Sequence, residues 1–325
     1  MATFNPLATD DQREIEALAL ELFETAPVRD AITRQRGVMQ ASLTVSSAAA
    51  GAVTSVAASA AGRATLEQNL HEWAFSACFK VAAMQPARPR VACTINLPHR
   101  WFGHAVPGTR HGVDNPDNIY RVIAVAPGAR YAIHGQVLGR PGADVSFTVF
   151  SAYPGDGADS HSLGVITLDE IERDGEGRFT LTLDDPPAAG RRNHLSLHAD
   201  ARLVFVRYSL LDWANETPLA LAVELLSPPP SADAPVDAQA AARAVERVVP
   251  YWTASMPKWF GRHPMNVVPL ATQSNFAYAK QANVGAQWQL APDQALCFTL
   301  DAQGAAYLGV QLADPWGASP DYAAH

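Results

Sequence analysis

At Pro86 and Pro89 the character of the chain changes. Before these prolines apolar residues recur at helical spacing, and after them short alternating runs are separated by Pro, Gly and Asp turns. Residues 10–25 place Ile15, Leu18, Leu22 and Phe23 on one helical face, with Asp10 and Asp11 positioned as N-caps. Pro27 interrupts, and a second helix starts near Val28. Ala64–Met84 predicts a further helix striped by Leu66, Leu70, Trp73, Ala77 and Val81 and ended by the two prolines.

Beyond Pro89, Val91–Ile95, Tyr120–Val125, Tyr131–Leu138, Val145–Tyr153, Phe179–Leu183, Leu195–His198, Leu203–Leu211 and Leu219–Leu226 read as strands. Short strands at this spacing pack as a sandwich rather than a parallel sheet. A linker covers Ser227–Asp233, a helix follows at about 237–261, and Leu296–Leu300 and Ala306–Leu312 read as closing strands. The fold class expected is α+β: a helical N-terminal region over 1–88, then an antiparallel β-sandwich of jelly-roll type over 89–325 with a helical insertion.

Composition excludes several roles. The 325 residues are 48% hydrophobic, enough for a substantial core, and only 17% charged with a net charge of −8. A chain that tracks phosphates needs a basic stripe, and none is present, so no nucleic acid is expected as partner. The lysines are Lys80, Lys258 and Lys280 alone, which removes Schiff-base chemistry from everything between the first two. Cys78, Cys93 and Cys297 form no framework and no zinc spacing, which fits buried thiols in a reducing compartment. With no basic start leading into an apolar run, the location expected is cytoplasmic. The uncharged stretch from Arg36 to Arg63 is built of Ala, Ser, Thr, Gly and Val, too weakly apolar for a membrane span and suited to close packing in a bundle.

The chemistry-bearing residues concentrate around Asp114-Asn115-Pro116-Asp117-Asn118-Ile119-Tyr120-Arg121. Side chains alternate along a strand, so Arg121 shares a face with Ile119, Ile123 and Val125, and Arg207 shares one with Leu203, Phe205 and Leu211. A guanidinium on an apolar face is costly unless paired, which calls for carboxylates nearby: Asp114, Asp117 and Asp212. Such a pair either fixes strand register or holds a ligand anion. His194 and His198 stand about 13 Å apart on an extended strand and cannot share one metal, so no metal is expected. The glycine-containing turns are not followed by helices and make poor phosphate loops, so no cofactor is expected either. Trp101, Trp213, Trp252, Trp259, Trp288 and Trp316 fall mostly at element ends, where some could line a pocket.

Trp101-Phe102-Gly103, the segment 114–121, Arg192-Asn193-His194-Leu195, Arg207 with Asp212-Trp213, and Asp314-Pro315-Trp316-Gly317 together resemble the bacterial domain of unknown function family numbered 1214. That resemblance spans about residues 85–325. It implies a fold similar to the jelly-roll half of peptide N-glycosidase F, and no settled activity.

The functional expectation is a cofactor-independent enzyme, a lyase or hydrolase, acting on a small aromatic, isoprenoid-like or glycosidic substrate. Asp114 or Asp117 would be its base, Tyr120 or His194 its acid, Arg121 and Arg207 its oxyanion holders, and Asp212 a carboxylate partner. The alternative is a non-catalytic glycan- or small-ligand-binding sandwich, and a third is self-association through the helical N-terminus.

Overall fold

The structure is a computed structural model. It describes residues 5–45, 59–156, 160–185, 189–229, 231–263, 265–270, 272–273 and 281–320. Helices α1 (Asp10–Phe23), α2 (Ala26–Val45), α3 (Ala60–Ala64) and α4 (Leu66–Ala83) precede the strands, and α5 (Ala238–Gly261) follows most of them. The N-cap of α1 is Thr9, whose hydroxyl accepts from the Gln12 amide at 3.1 Å. Asp10 and Asp11 lie in the first turn instead, where carboxylates complement the helix dipole. Part of the small-residue stretch 36–63 lies outside the described residues. No described helix is long and apolar enough to cross a membrane.

The strands are β1 (Ala92–Thr94), β2 (His99–Trp101), β3 (His104–Val106), β4 (Asn118–Ala124), β5 (Arg130–Gln136), β6 (Asp144–Phe150), β7 (Ser162–Thr167), β8 (Arg178–Asp184), β9 (His194–Ser196), β10 (Leu203–Ser209), β11 (Ala220–Ser227), β12 (Thr272–Gln273) and β13 (Ala282–Asn283). A five-stranded antiparallel sheet runs β1-β4-β10-β6-β7, and a four-stranded sheet runs β11-β5-β8-β9. Within the latter, β9 joins β8 in parallel. The β2–β3 hairpin turns on Phe102 and Gly103, both at positive φ (51° and 85°), the backbone that a two-residue turn between twisted strands needs. The expected strands at 296–300 and 306–312 do not form. They pair with no strand among the described residues, and their Phe298, Leu300, Leu308, Val310 and Leu312 remain exposed.

Period-two alternation gives the five-stranded sheet two buried faces. Ile123, Phe147, Val149, Val204 and Val206 meet Ile133, Leu181 and Leu183 of the other sheet, closing the sandwich. On the opposite face Val122, Phe150, Leu203 and Phe205 meet Trp73, Phe79, Val249 and Trp316. Each such side chain contributes about 1.5–3 kcal/mol on burial. Helix α5 packs on α2 and α4, so one apolar core runs from the N-terminal helices through α5 to the sheet. The chain is an α+β protein with a helix-covered sandwich. Among the described residues of α1–α4, Val38 is the large apolar side chain left exposed, so self-association through these helices finds no broad apolar face there.

Candidate functional site

Strand register decides where the two arginines go. In the β4–β10 ladder Arg121 stands opposite Val206, and Tyr120 opposite Arg207. Cross-strand partners share a face, so Arg121 and Arg207 point to opposite sides of the same sheet. The expectation that they serve one site is corrected here. Arg121 enters the sandwich core, buried beside Cys93 and 5.3 Å from the centre of the Tyr208 ring. Its Nε and Nη2 have no hydrogen-bond partner among the described residues.

Arg207 lies in a different setting. Thr94, Tyr120, Arg207, Ser146 and Thr167 stand directly opposite one another across β1, β4, β10, β6 and β7, a straight polar row spanning the whole sheet. Adjacent members are about 4.8 Å apart along the hydrogen-bonding direction. All five are buried. The next row outward, Asn118, Ser209 and Asp144, is polar as well, while the row inward carries Val122 and Phe205 under the helices. The helix-facing surface of this sheet therefore grades from apolar to polar along its strands.

Within this band Arg207 donates through Nη2 to Asp144 Oδ2 (2.8 Å) and through Nη1 to Gln281. Asn118 Nδ2 donates to the Tyr120 hydroxyl (2.9 Å), and Thr167 Oγ1 donates to Glu170 (2.8 Å). Three buried oxygens around the row have no partner among the described residues: Thr94 Oγ1, Asn118 Oδ1 and Ser209 Oγ. Beside Tyr120 lies His111, whose ring meets Tyr120, Tyr153 and Phe205 edge-on at 5.6, 5.7 and 5.4 Å. Burial pushes its imidazole down to about 4, so it is neutral at physiological pH.

The remaining expected site residues go elsewhere. Asp114 is buried at the helix–sheet junction, accepting from Asn96 Nδ2 (2.6 Å) while its amide donates to the Gly317 carbonyl (2.8 Å). Next to it Arg110, fully buried, donates to Glu72 (2.7 Å) and to the Trp316 carbonyl (3.0 Å). Asp114 is thus part of a clamp joining α4, the 108–118 loop and the 314–318 turn. Asp117 lies in a turn closed by its neighbour Asn115 and receives the Tyr307 hydroxyl (2.8 Å). That phenol is pushed up to about 12, chiefly by burial. His194 belongs to the outer face of the four-stranded sheet, between the Thr182 hydroxyl (2.8 Å) and Arg191 (2.7 Å) and 3.5 Å from Asp184. Hydrogen bonding from Arg191 holds the Asp184 carboxyl below its ordinary value. Asp212 caps a surface turn through Asn215 (2.7 Å), which lowers its carboxyl too. Of the seven expected residues, the fold places only Tyr120 and Arg207 side by side.

A hollow of about 820 Å³ lies on the outside of the four-stranded sheet, lined by His134, Gln136, Glu172, Asp174, Arg178 and Asn193 among others. Its polar groups satisfy one another: His134 bonds Glu224 (3.1 Å), Arg178 bonds Asp174 (2.9 Å), and Asn193 bonds the Glu172 backbone (2.8 Å). It contains none of the expected residues. The groups that residue order did not single out are His111, Tyr153 and Lys80. One signal was available for the last: Lys80 is the only charged residue between Trp73 and Ala87.

No family model and no curated protein sequence matches the chain. Among solved structures, an uncharacterized protein from Burkholderia cenocepacia is similar over 78% of this chain at 21% identity, with a TM-score of 0.53. The chain covers 65% of that protein, slightly less than two thirds of its length. The VPA0106 protein from Vibrio parahaemolyticus aligns with 34% of this chain and 31% of its own at 11% identity and a TM-score of 0.25. The first likeness extends to the fold: helices covering a sandwich.

Proposed function

We propose that the protein binds a small oxygen-bearing molecule, of carboxylate, aromatic or glycosidic type, against the buried polar row of its five-stranded sheet. The observation that carries this reading is the row itself. Thr94, Tyr120, Arg207, Ser146 and Thr167 bury polar atoms where a sheet covered on both faces is ordinarily apolar, and oxygens around them lack partners. Arg207 is the natural anchor for an anionic or carbonyl oxygen, with the Tyr120 hydroxyl as a second donor. A cytoplasmic setting, a bacterial source and membership of the domain of unknown function family 1214 belong to the same proposal.

Catalysis by acid/base residues, as a lyase or hydrolase, is the second reading. It is favoured by the neutral His111 imidazole in ring contact with Tyr120, an acid/base couple beside the Arg207 cation. In this reading His111 takes the role that Asp114, Asp117 and His194 are too far dispersed to fill.

The test is ligand-observed NMR against a panel of small carboxylates, phenols and methyl glycosides, run on the native protein and on Tyr120→Phe. Loss of one hydroxyl donor should weaken true ligands about tenfold. Hits that bind both proteins equally would place the ligand elsewhere, and a panel with no hits would end the reading.

A further inference from the structure

Lys258 is exposed near the end of α5, whereas the Lys80 side chain is 10% exposed and leaves α4 into the helical core. Its ammonium pairs with the Asp156 carboxylate and lies 5.2 Å from the centre of the Tyr153 ring. Two buried polar atoms next to this pair have no hydrogen-bond partner among the described residues: the Tyr153 hydroxyl and Nε1 of Trp252. The His111 ring meets Tyr153 edge-on at 5.7 Å. The Trp252 indole lies so close to Gly155 that a Cβ there would fall 2.4 Å from Nε1. A lysine that only tied α4 to the 150–156 loop would need Asp156 and nothing more. Orphaned donors and acceptors beside an amine mark a position for atoms that are not the protein's own. The Asp156 side chain is 29% exposed.

We propose that Lys80 is a nucleophilic amine that captures small aldehydes or ketones as an imine. The neutral Nζ forms a bond to the carbonyl carbon, and the π pair of the C=O moves onto oxygen. A proton passes from the new ammonium to that oxygen, giving a carbinolamine. The nitrogen lone pair then expels hydroxide, which takes up a proton and leaves as water. One ammonium and one carbonyl compound become one iminium ion and one water, with no oxidant or reductant required. The Tyr153 hydroxyl and the Trp252 N–H are the donors for the oxygen, and neutral His111 accepts from the carbinolamine hydroxyl. Burial brings the Lys80 amine down to about 8 against the opposing pull of Asp156, with Arg247 adding to the lowering, so a usable fraction is unprotonated near neutral pH. This inference goes beyond the polar row: it uses none of Thr94, Tyr120 or Arg207, and its probe is an aldehyde rather than a member of the ligand panel.

The test is reductive labelling of the full native chain with benzaldehyde and cyanoborohydride at pH 7.5, read by peptide mass mapping against the other two lysines. Lys80 should be labelled about tenfold faster than Lys258 in native protein, a preference lost in urea. Asp156→Asn should raise the Lys80 rate severalfold by removing the carboxylate that favours the protonated amine. Labelling of Lys80 at or below the Lys258 rate would overturn the proposal, as would an Asp156→Asn rate that is unchanged or lower.

Discussion

On the face turned toward the four-stranded sheet, β4 and β10 present Ile119, Arg121 and Ile123 with Val204, Val206 and Tyr208. On the face turned toward the helices the same strands present Asn118, Tyr120 and Val122 with Phe205, Arg207 and Ser209. Each face holds one arginine, and the two are answered differently. Arg121 is balanced by the face of an aromatic ring, with two nitrogens unbonded in the sandwich core. Arg207 is bonded to Asp144 and Gln281 and sits in a continuous polar row. A lone buried arginine surrounded by apolar side chains bears on folding. An arginine inside a buried polar row is a place where another molecule can bind.

The largest expected effect concerns the helix-facing side under acid. His111 is held neutral by burial, its folded value near 4 against an ordinary value of 6.5. Because the folded value is depressed, the unfolded chain binds the extra proton first. Stability is therefore undiminished above pH 6.5 and falls as the pH drops from 6.5 toward 4, by about 2–4 kcal/mol in all. Urea unfolding across this range should show that slope in the native protein and lose it in His111→Phe. An equal slope in both would mean that the imidazole is not enclosed, and the contrast between the faces would weaken.

A pair of matched substitutions tests the faces directly. Arg121→Met removes a charge that has no carboxylate partner and fills the space with apolar volume. It should leave stability unchanged or raise it by about 1–2 kcal/mol. Arg207→Met removes the cation from Asp144 and should cost about 1–3 kcal/mol. Opposite signs in denaturant unfolding would uphold the contrast, and equal costs would erase it.

How far the sequence revealed this arrangement can be seen in the same residues. Alternation assigned Arg121 and Arg207 to the right set of neighbours on each strand, since each strand's phase is local information. It did not reveal that the two sets lie on opposite faces of one sheet, because that depends on the β4–β10 register, a pairing across more than eighty residues. The prolines at 86 and 89 correctly marked the end of the helices. Strand β7 went unread because Gly164 interrupts its apolar pattern, and the β2–β3 hairpin because Phe102-Gly103 lacks the usual Asn or Asp. The opposite error fell at 296–312, where alternation is clear but the segment pairs with no strand among the described residues. His111, Tyr153 and Lys80 come from three separate segments and meet only through packing of α4 and the loops onto the sheet, so no local pattern announces them.

The smallest expected effect is the sharpest for function. Thr94 stands at one end of the polar row, and its buried hydroxyl has no partner. Thr94→Val keeps the shape and removes that oxygen, so the protein without ligand should gain about 0.5–1 kcal/mol in denaturant unfolding. A residue kept for folding alone has no reason to carry that cost. One kept for binding does, and sites of this kind trade stability for function. The same variant should therefore give a smaller rise in Tm than the native protein when a ligand from the NMR panel is added. Gain without loss of the ligand response would make the Thr94 hydroxyl an incidental feature of the edge strand and confine the binding face to the interval between Tyr120 and Arg207.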